Sequence, residues 1–169
     1  MRVLSILPVL VALIPGPQAQ PPKTPAKPPA TAPAAQAAAA KGAGRTVELT
    51  GGDDMKYNVT SINAKPGETL HVVLKNVGTI PKVAMAHNFV VLTAAANADD
   101  FSKAAMNARD TDYIPADKKA DVLASTKLAG PGESMEVTFK APAKPGTYNY
   151  LCTFPGHYAA GMKGTLVVK

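Results

Sequence analysis

From residue 46 to the C-terminus, short runs of alternating apolar and polar residues recur, separated by Gly/Pro turn signals. A period of two places successive side chains on opposite faces of a strand, so each run offers one face to a core. "TVELT" (46–50) is such a run. In "MKYNVTSINA" (55–64), Met55, Tyr57 and Val59 share a face before the register shifts near Ser61 and Ile62. Pro66-Gly67 marks a turn, and "ETLHVVLKNV" then sets Leu70, Val72 and Leu74 against Thr69, His71 and Val73. "HNFVVL" is β-rich, "SMEVTFK" alternates Met135, Val137 and Phe139, and "GTYNYLC" and "GTLVVK" close the chain. Seven to eight such strands predict an all-β, antiparallel sandwich or barrel. Residues 94–121, rich in Ala, Asp and Lys, interrupt the pattern. Asn97 or Asp99 can cap a helix reaching about Arg109. So short a piece cannot build a core of its own, so it reads as a helical insertion lying on the sandwich.

The residues before this domain cannot join its core. Residues 1–19 read as a signal peptide or N-terminal anchor: Arg2 precedes the apolar stretch Val3–Ile14, which is too short to span a bilayer. Residues 20–45 are a low-complexity Pro/Ala/Lys linker, expected to be a disordered tether reaching on the order of 75 Å at ~3.1 Å per residue. The folded domain is 46–169, and the leader points to an exported, periplasmic protein with membrane tethering through the N-terminus as an option. The chain carries a net charge of +6, yet from Thr46 onward thirteen Lys and Arg face twelve Asp and Glu. The basic surplus belongs to the leader and tether, and the domain lacks the positive field that nucleic-acid binding requires.

The chain's single cysteine opens the segment "CTFPGHYAAGM", in which His157 and Met162 follow at five-residue steps. An exported chain with one cysteine has no internal disulfide, so the thiol is inert, joined to another chain or engaged by a metal. Taken singly, a Cys or a Met is usually core filling. Together on a Gly/Pro-rich loop, a thiolate, an imidazole and a thioether make most of a soft-metal site. Two His and one Cys, with Met as a weak axial donor, form the donor set of blue copper. Two histidines are available as the second imidazole. His71 alternates with core positions of a strand and points to solvent or a sheet face. His87 lies at the start of a strand after an irregular loop and is the choice.

These segments carry a resemblance. "MAHNFVVL", "STKLAGPGESMEVTF" and "CTFPGHYAAGMKGTLVVK", with "DDMKYNVTSINAKPGETLHVVLKN" and "DYIPADKKADVLASTKL", resemble the azurins and auracyanins, blue copper proteins of the cupredoxin family. The resemblance covers residues 46–169. It implies a Greek-key β-sandwich holding one type 1 copper ion, with His87, Cys152 and His157 as equatorial ligands and Met162 as axial ligand. It also implies a weak contact from the carbonyl before the first histidine, here Ala86 where azurins usually have Gly. Asn88 is the candidate tie between the His87 strand and the Cys152 loop near Thr153, and an ordinary turn residue is the alternative. The amide of Phe154 is implied as a donor to the Cys152 sulfur. The His157 ring edge is implied to reach the surface in an apolar docking patch of Met55, Ile80, Met85, Pro155, Ala159 and Ala160. The spacer Tyr158–Gly161 is one residue longer than in azurins and is similar to that of auracyanins and plastocyanins. The azurin disulfide and buried Trp have no counterpart.

The function expected is single-electron transfer by Cu(II)/Cu(I) cycling, between redox proteins such as c-type cytochromes, respiratory complexes or terminal reductases, by a monomeric carrier. The alternative is periplasmic copper binding and delivery without redox turnover. The tether holds neither His nor Met, which argues against delivery. An enzyme is not expected: three histidines cannot furnish a further copper site, and no nucleophile–base pair or carboxylate pair stands out.

Overall fold

A computed structural model describes residues 44–169 of the chain. The leader, and the tether apart from its last two residues, lie outside the described residues. Eight strands run β1 (Arg45–Gly51), β2 (Ser61–Ala64), β3 (Thr69–Asn76), β4 (Val90–Leu92), β5 (Val122–Ser125), β6 (Ser134–Lys140), β7 (Gly146–Leu151) and β8 (Lys163–Val168). They form a three-stranded sheet, β1-β3-β6, and a five-stranded sheet, β2-β8-β7-β4-β5. The arrangement is the expected sandwich of two sheets. Four of the six pairings are antiparallel, but β1 with β3 and β2 with β8 run parallel. The chain crosses to the other sheet at β2 before returning to β3, and a strand that returns this way arrives in the same direction.

The core lies between the sheets. Val47, Leu49, Leu70, Val72 and Leu74 meet Ile62, Val91, Tyr148, Tyr150, Leu166 and Val168. Alternation explains most of this: Leu70, Val72 and Leu74 are buried while Thr69, His71 and Val73 are half-exposed on the other face. The three residues of β4 are all buried, because both of its faces are covered. Val91 joins the main core, whereas Val90 and Leu92 pack with Leu151, Ala98 and Phe101 in a second, smaller cluster beneath the helical insertion.

Three local differences from the sequence reading have simple causes. Residues 55–60 are not strand: Met55 takes a φ of 54° and only Tyr57 bridges back to Gly51. The helix α1 spans Ala98–Ala105 and stops short of Arg109. Asn97 caps it, accepting from the amides of Asp99 and Asp100 at 2.9 and 3.1 Å, and Ala98, Phe101 and Ala105 form its buried face. Beyond Ala105 the residues are polar, and two 3-10 turns (Arg109–Thr111 and Ala116–Asp121) carry the chain into β5, a strand the alternation did not reveal. No helix among the described residues is long and apolar enough to cross a membrane.

Candidate metal centre

Strand alternation carries the cysteine inside. Tyr148 and Tyr150 face the core from β7, and Cys152 continues the same period just past the strand end, fully buried. The loop it opens closes on itself, with the Cys152 amide donating to the Met162 carbonyl at 3.0 Å. Pro155 fixes its φ and offers no donor. Gly156 and Gly161, at φ 84° and 98°, occupy the left-handed region and bracket a one-turn helix, α2 (His157–Ala160). Four residues are too few to show a helical period, so this turn was not legible as such. It places His157 inward, only 2 % exposed. Little of the residue is left at the surface, and the Phe154 ring lies 4.8 Å from its ring, centroid to centroid.

His87 arrives from the facing loops. Its amide donates to the Ala129 carbonyl at 3.0 Å and its carbonyl accepts from the Ala129 amide at 2.7 Å. The buried Asn76 side chain donates to the same Ala129 carbonyl at 3.0 Å. The next two residues are held as firmly: the Tyr57 hydroxyl donates to the Asn88 carbonyl, and the Phe89 amide donates to Thr126 Oγ1 at 3.0 Å. Asn88 joins the two ligand-bearing segments. Its Nδ2 donates to Thr153 Oγ1 at 2.8 Å and its Oδ1 accepts from the Thr153 amide at 2.9 Å. The same Nδ2 reaches the Asp112 carbonyl of the insertion at 3.1 Å. Tyr57, Asn76, Ala129 and Thr126 were not foreseen, since each acts on the backbone of a partner distant in sequence.

The three donors converge. His87 Nδ1 and His157 Nδ1 are 3.3 Å apart, and Cys152 Sγ is 3.4 Å from His157 Nδ1. All three donor atoms lie within 4.8 Å of one another and all three residues are buried. Donors about 2.0–2.3 Å from one ion sit roughly 3.3–3.8 Å apart, so the spacing fits a single metal. His87 Nε2 is buried without a hydrogen-bond partner, on the side where a metal-bound ring carries its proton; the Gly52 carbonyl faces the ring without completing that bond. Met162 is fully buried beside His87: a Cβ on Gly51 would lie 2.5 Å from Met162 Cε and 3.0 Å from the His87 ring. The Ala86 carbonyl is 3.9 Å from the Cys152 sulfur. His71 is elsewhere, on the outer face of the three-stranded sheet, 2.6 Å from Glu136 Oε2.

Burial governs the protonation of this cluster. It pushes the Cys152 thiol up to about 12, while the backbone amides of Asn88 and Phe154, aimed at the sulfur, pull the other way. It lowers His157 to about 4, helped by the neighbouring His87. His87 is also lowered by burial, with the Gly52 carbonyl, Asp53 and Asp54 opposing. Without metal, the resting state is therefore a thiol beside two neutral imidazoles, and a soft or borderline cation is the partner that this donor set accepts. Of the residues expected in the apolar patch, Ile80 and Ala159 are exposed, and Met55, Met85, Pro155 and Ala160 are half-buried.

Comparison with known proteins agrees with this chemistry. The family model for copper binding proteins of the plastocyanin/azurin family matches residues 44–169. Auracyanin-B of Chloroflexus aurantiacus is 39% identical over 126 residues, which are 73% of this chain but only 52%, about half, of that protein. Azurin of Pseudomonas aeruginosa is 39% identical over 127 residues, 73% of this chain and 84% of azurin. The crystal structure of dithionite-reduced auracyanin from Roseiflexus castenholzii superposes with a TM-score of 0.64 at 38% identity, covering 73% of this chain and 96% of that one. The chain belongs to the plastocyanin/azurin family of copper-binding proteins, with His87, Cys152 and His157 positioned to hold its one copper ion.

Proposed function

We propose that this chain is a type 1 blue copper electron-transfer protein, an electron carrier rather than an enzyme, that shuttles single electrons between redox partners in the periplasm. The observation that carries the reading is the buried trio of His87 Nδ1, Cys152 Sγ and His157 Nδ1, all within 4.8 Å of one another. When bound, copper supplies the one-electron chemistry by alternating between its +2 and +1 states. The residues do the rest. His87, Cys152 and His157 would hold the ion, with the Met162 thioether and the Ala86 carbonyl as further, weaker donors. The Cys152 thiol gives up its proton to bind, against a burial that otherwise keeps it protonated. Asn88 and Thr153 lock the two ligand segments together, so the donors keep their places in both oxidation states. The amides of Asn88 and Phe154 direct partial positive charge at the sulfur and tune how readily the site accepts an electron.

Electrons pass by way of His157. Met55, Ile80, Met85, Pro155, Ala159 and Ala160 form an apolar docking patch, suited to brief contacts because small interfaces release quickly. Partners of this kind are c-type cytochromes, respiratory complexes or terminal reductases. Residues 1–19 act as leader or anchor and 20–45 as a linker that lets the domain, 46–169, sample donor and acceptor at raised local concentration.

The test is an absorption spectrum of the copper-loaded protein, before and after ascorbate. An intense visible thiolate-to-copper band that bleaches on reduction and returns on oxidation is expected, together with its loss in Cys152→Ser. Copper binding without such a band, or a band that does not cycle, overturns the carrier reading and leaves copper delivery in its place.

A further inference from the structure

The helical insertion is tied to the metal centre more closely than its place on the outside of the five-stranded sheet requires. Phe101 anchors it, 1 % exposed, against Val90, Leu92 and Leu151 in the second cluster. Farther along, Asp112 and Tyr113 take φ values of 54° and 60°, a left-handed pair in which neither residue is glycine. A bulky side chain rarely adopts this backbone, and it persists only where the surroundings over-determine it. Here they do. The Asp112 carbonyl accepts from Asn88 Nδ2, Tyr113 enters the main core, and the next residue, Ile114, packs on the second cluster.

The left-handed turn delivers the Tyr113 ring onto Phe154. Their centroids are 5.2 Å apart at 66°, the edge-to-face arrangement that aromatic pairs favour. Phe154 in turn meets the His157 ring, with centroids 4.8 Å apart. Tyr113, Phe154 and His157 thus form a continuous aromatic stack running from the insertion to a metal-holding imidazole. The Phe154 amide also faces the Cys152 sulfur, so a shift of Phe154 would be felt at two donors.

We infer that Tyr113 is a positioning residue for the copper site, holding Phe154 against His157 so that the insertion serves as a brace for the ligand loop. This rests on the blue-copper reading proposed above. The test uses the full chain, loaded with copper, in the parent, Tyr113→Phe and Tyr113→Met forms. Methionine is a flexible apolar side chain that fills much of the space without the ring, and Tyr113→Leu replaces it should that variant fail to fold. Three quantities are followed: copper release to an external chelator, the Cu(II) absorption and EPR spectra, and the thermal midpoint of the metal-free protein. The ringless variant is expected to release copper roughly ten-fold faster or more, in the range seen for groups that orient metal ligands, and to shift the spectra. Tyr113→Phe should restore both to the parent values. Parent-like release and spectra in the ringless variant overturn the inference, as does a Phe variant no better than Met. Faster release that merely tracks a fall in the metal-free midpoint, with unchanged spectra, also overturns it. A parent protein lacking the visible band would instead refute the carrier reading, before any variant is compared.

Discussion

Leu70, Val72 and Leu74 line the interior of the sandwich with hydrocarbon alone, whereas Asn76, His87, Asn88, Thr126, Thr153 and His157 are the buried polar residues among those described. Five of the six sit at strand ends or in loops and the sixth, His157, opens the one-turn helix α2, around the metal-holding cluster. The two regions are held by different forces. In the body, each residue contributes through the apolar surface that it buries, and its neighbours differ little in kind. Around the metal centre the contributions are specific: Asn88 bonds Thr153 and the Asp112 carbonyl, and Thr126 bonds the Phe89 amide. A buried polar partner removed there strands another. Damage to the body should therefore read as lost stability, and damage at the loops as a changed site.

Leu70→Ala is the strongest probe of the body. Leu70 is fully buried, and its truncation leaves a cavity costing about 2–5 kcal/mol. A denaturant midpoint on the metal-free protein measures that loss. The visible band of the copper form should keep its position and shape. A moved band would break the comparison, because it would mean that the loops do not hold the donors independently of the core.

Asn88→Ala should do the reverse. Its loss leaves the Thr153 amide unpaired and costs about 1–3 kcal/mol, less than Leu70→Ala. Copper affinity should fall roughly ten- to a hundred-fold, as it does when groups that orient ligands are removed. Competition with a chelator of known affinity reports this. A variant that loses stability but binds copper as tightly as the parent would show that Asn88 is merely a turn residue.

These two residues also show what a sequence can and cannot reveal. Leu70 was legible from alternation, since a period of two is a local signal. Cys152 and His157 were legible because donor types crowd one short loop, and His87 because its place at a strand entry after an irregular loop set it apart from the strand residue His71. Asn88 was legible only through the resemblance. Tyr57, Asn76 and Thr126 act on backbone groups 31, 53 and 37 residues away, and nothing local marks them. β5 stayed hidden for a related reason: its four residues show a single buried position, Ala124. The left-handed Asp112 and Tyr113 lie in a polar stretch that read as no more than helical insertion.

A graded test uses pH. His157 is held near 4 in the metal-free fold against an ordinary value of 6.5, and Cys152 near 12 against 9.0. Between pH 6.5 and 4 the unfolded chain takes up a proton that the folded chain refuses, so stability falls as pH falls through that window. Above pH 9 the unfolded thiol ionises while the folded one does not, so stability falls again as pH rises. The metal-free thermal midpoint should form a plateau between about 6.5 and 9, bounded by both declines. Moving the same scan to Leu70→Ala should lower the whole curve without shifting its shoulders. Shoulders that move with that body substitution would mean that the two regions are not separable in this respect.

The smallest effect is expected from the other histidine of the domain. His71 and His87 are equivalent donors on paper, and only the fold separates them. His71 follows Leu70 on β3, so alternation turns it outward, where its ring meets Glu136 across the strand pair. An exposed pair of this kind contributes at most about 1 kcal/mol. His71→Gln should therefore leave the copper band, its cycling with ascorbate and the copper stoichiometry at parent values, with a barely measurable change in thermal midpoint. His87→Gln should abolish the band. If His71→Gln instead weakened copper binding, the outer face of the three-stranded sheet would hold copper of its own, and the division between a hydrocarbon body and a polar, metal-holding end would fail at the one histidine that the body carries among the described residues.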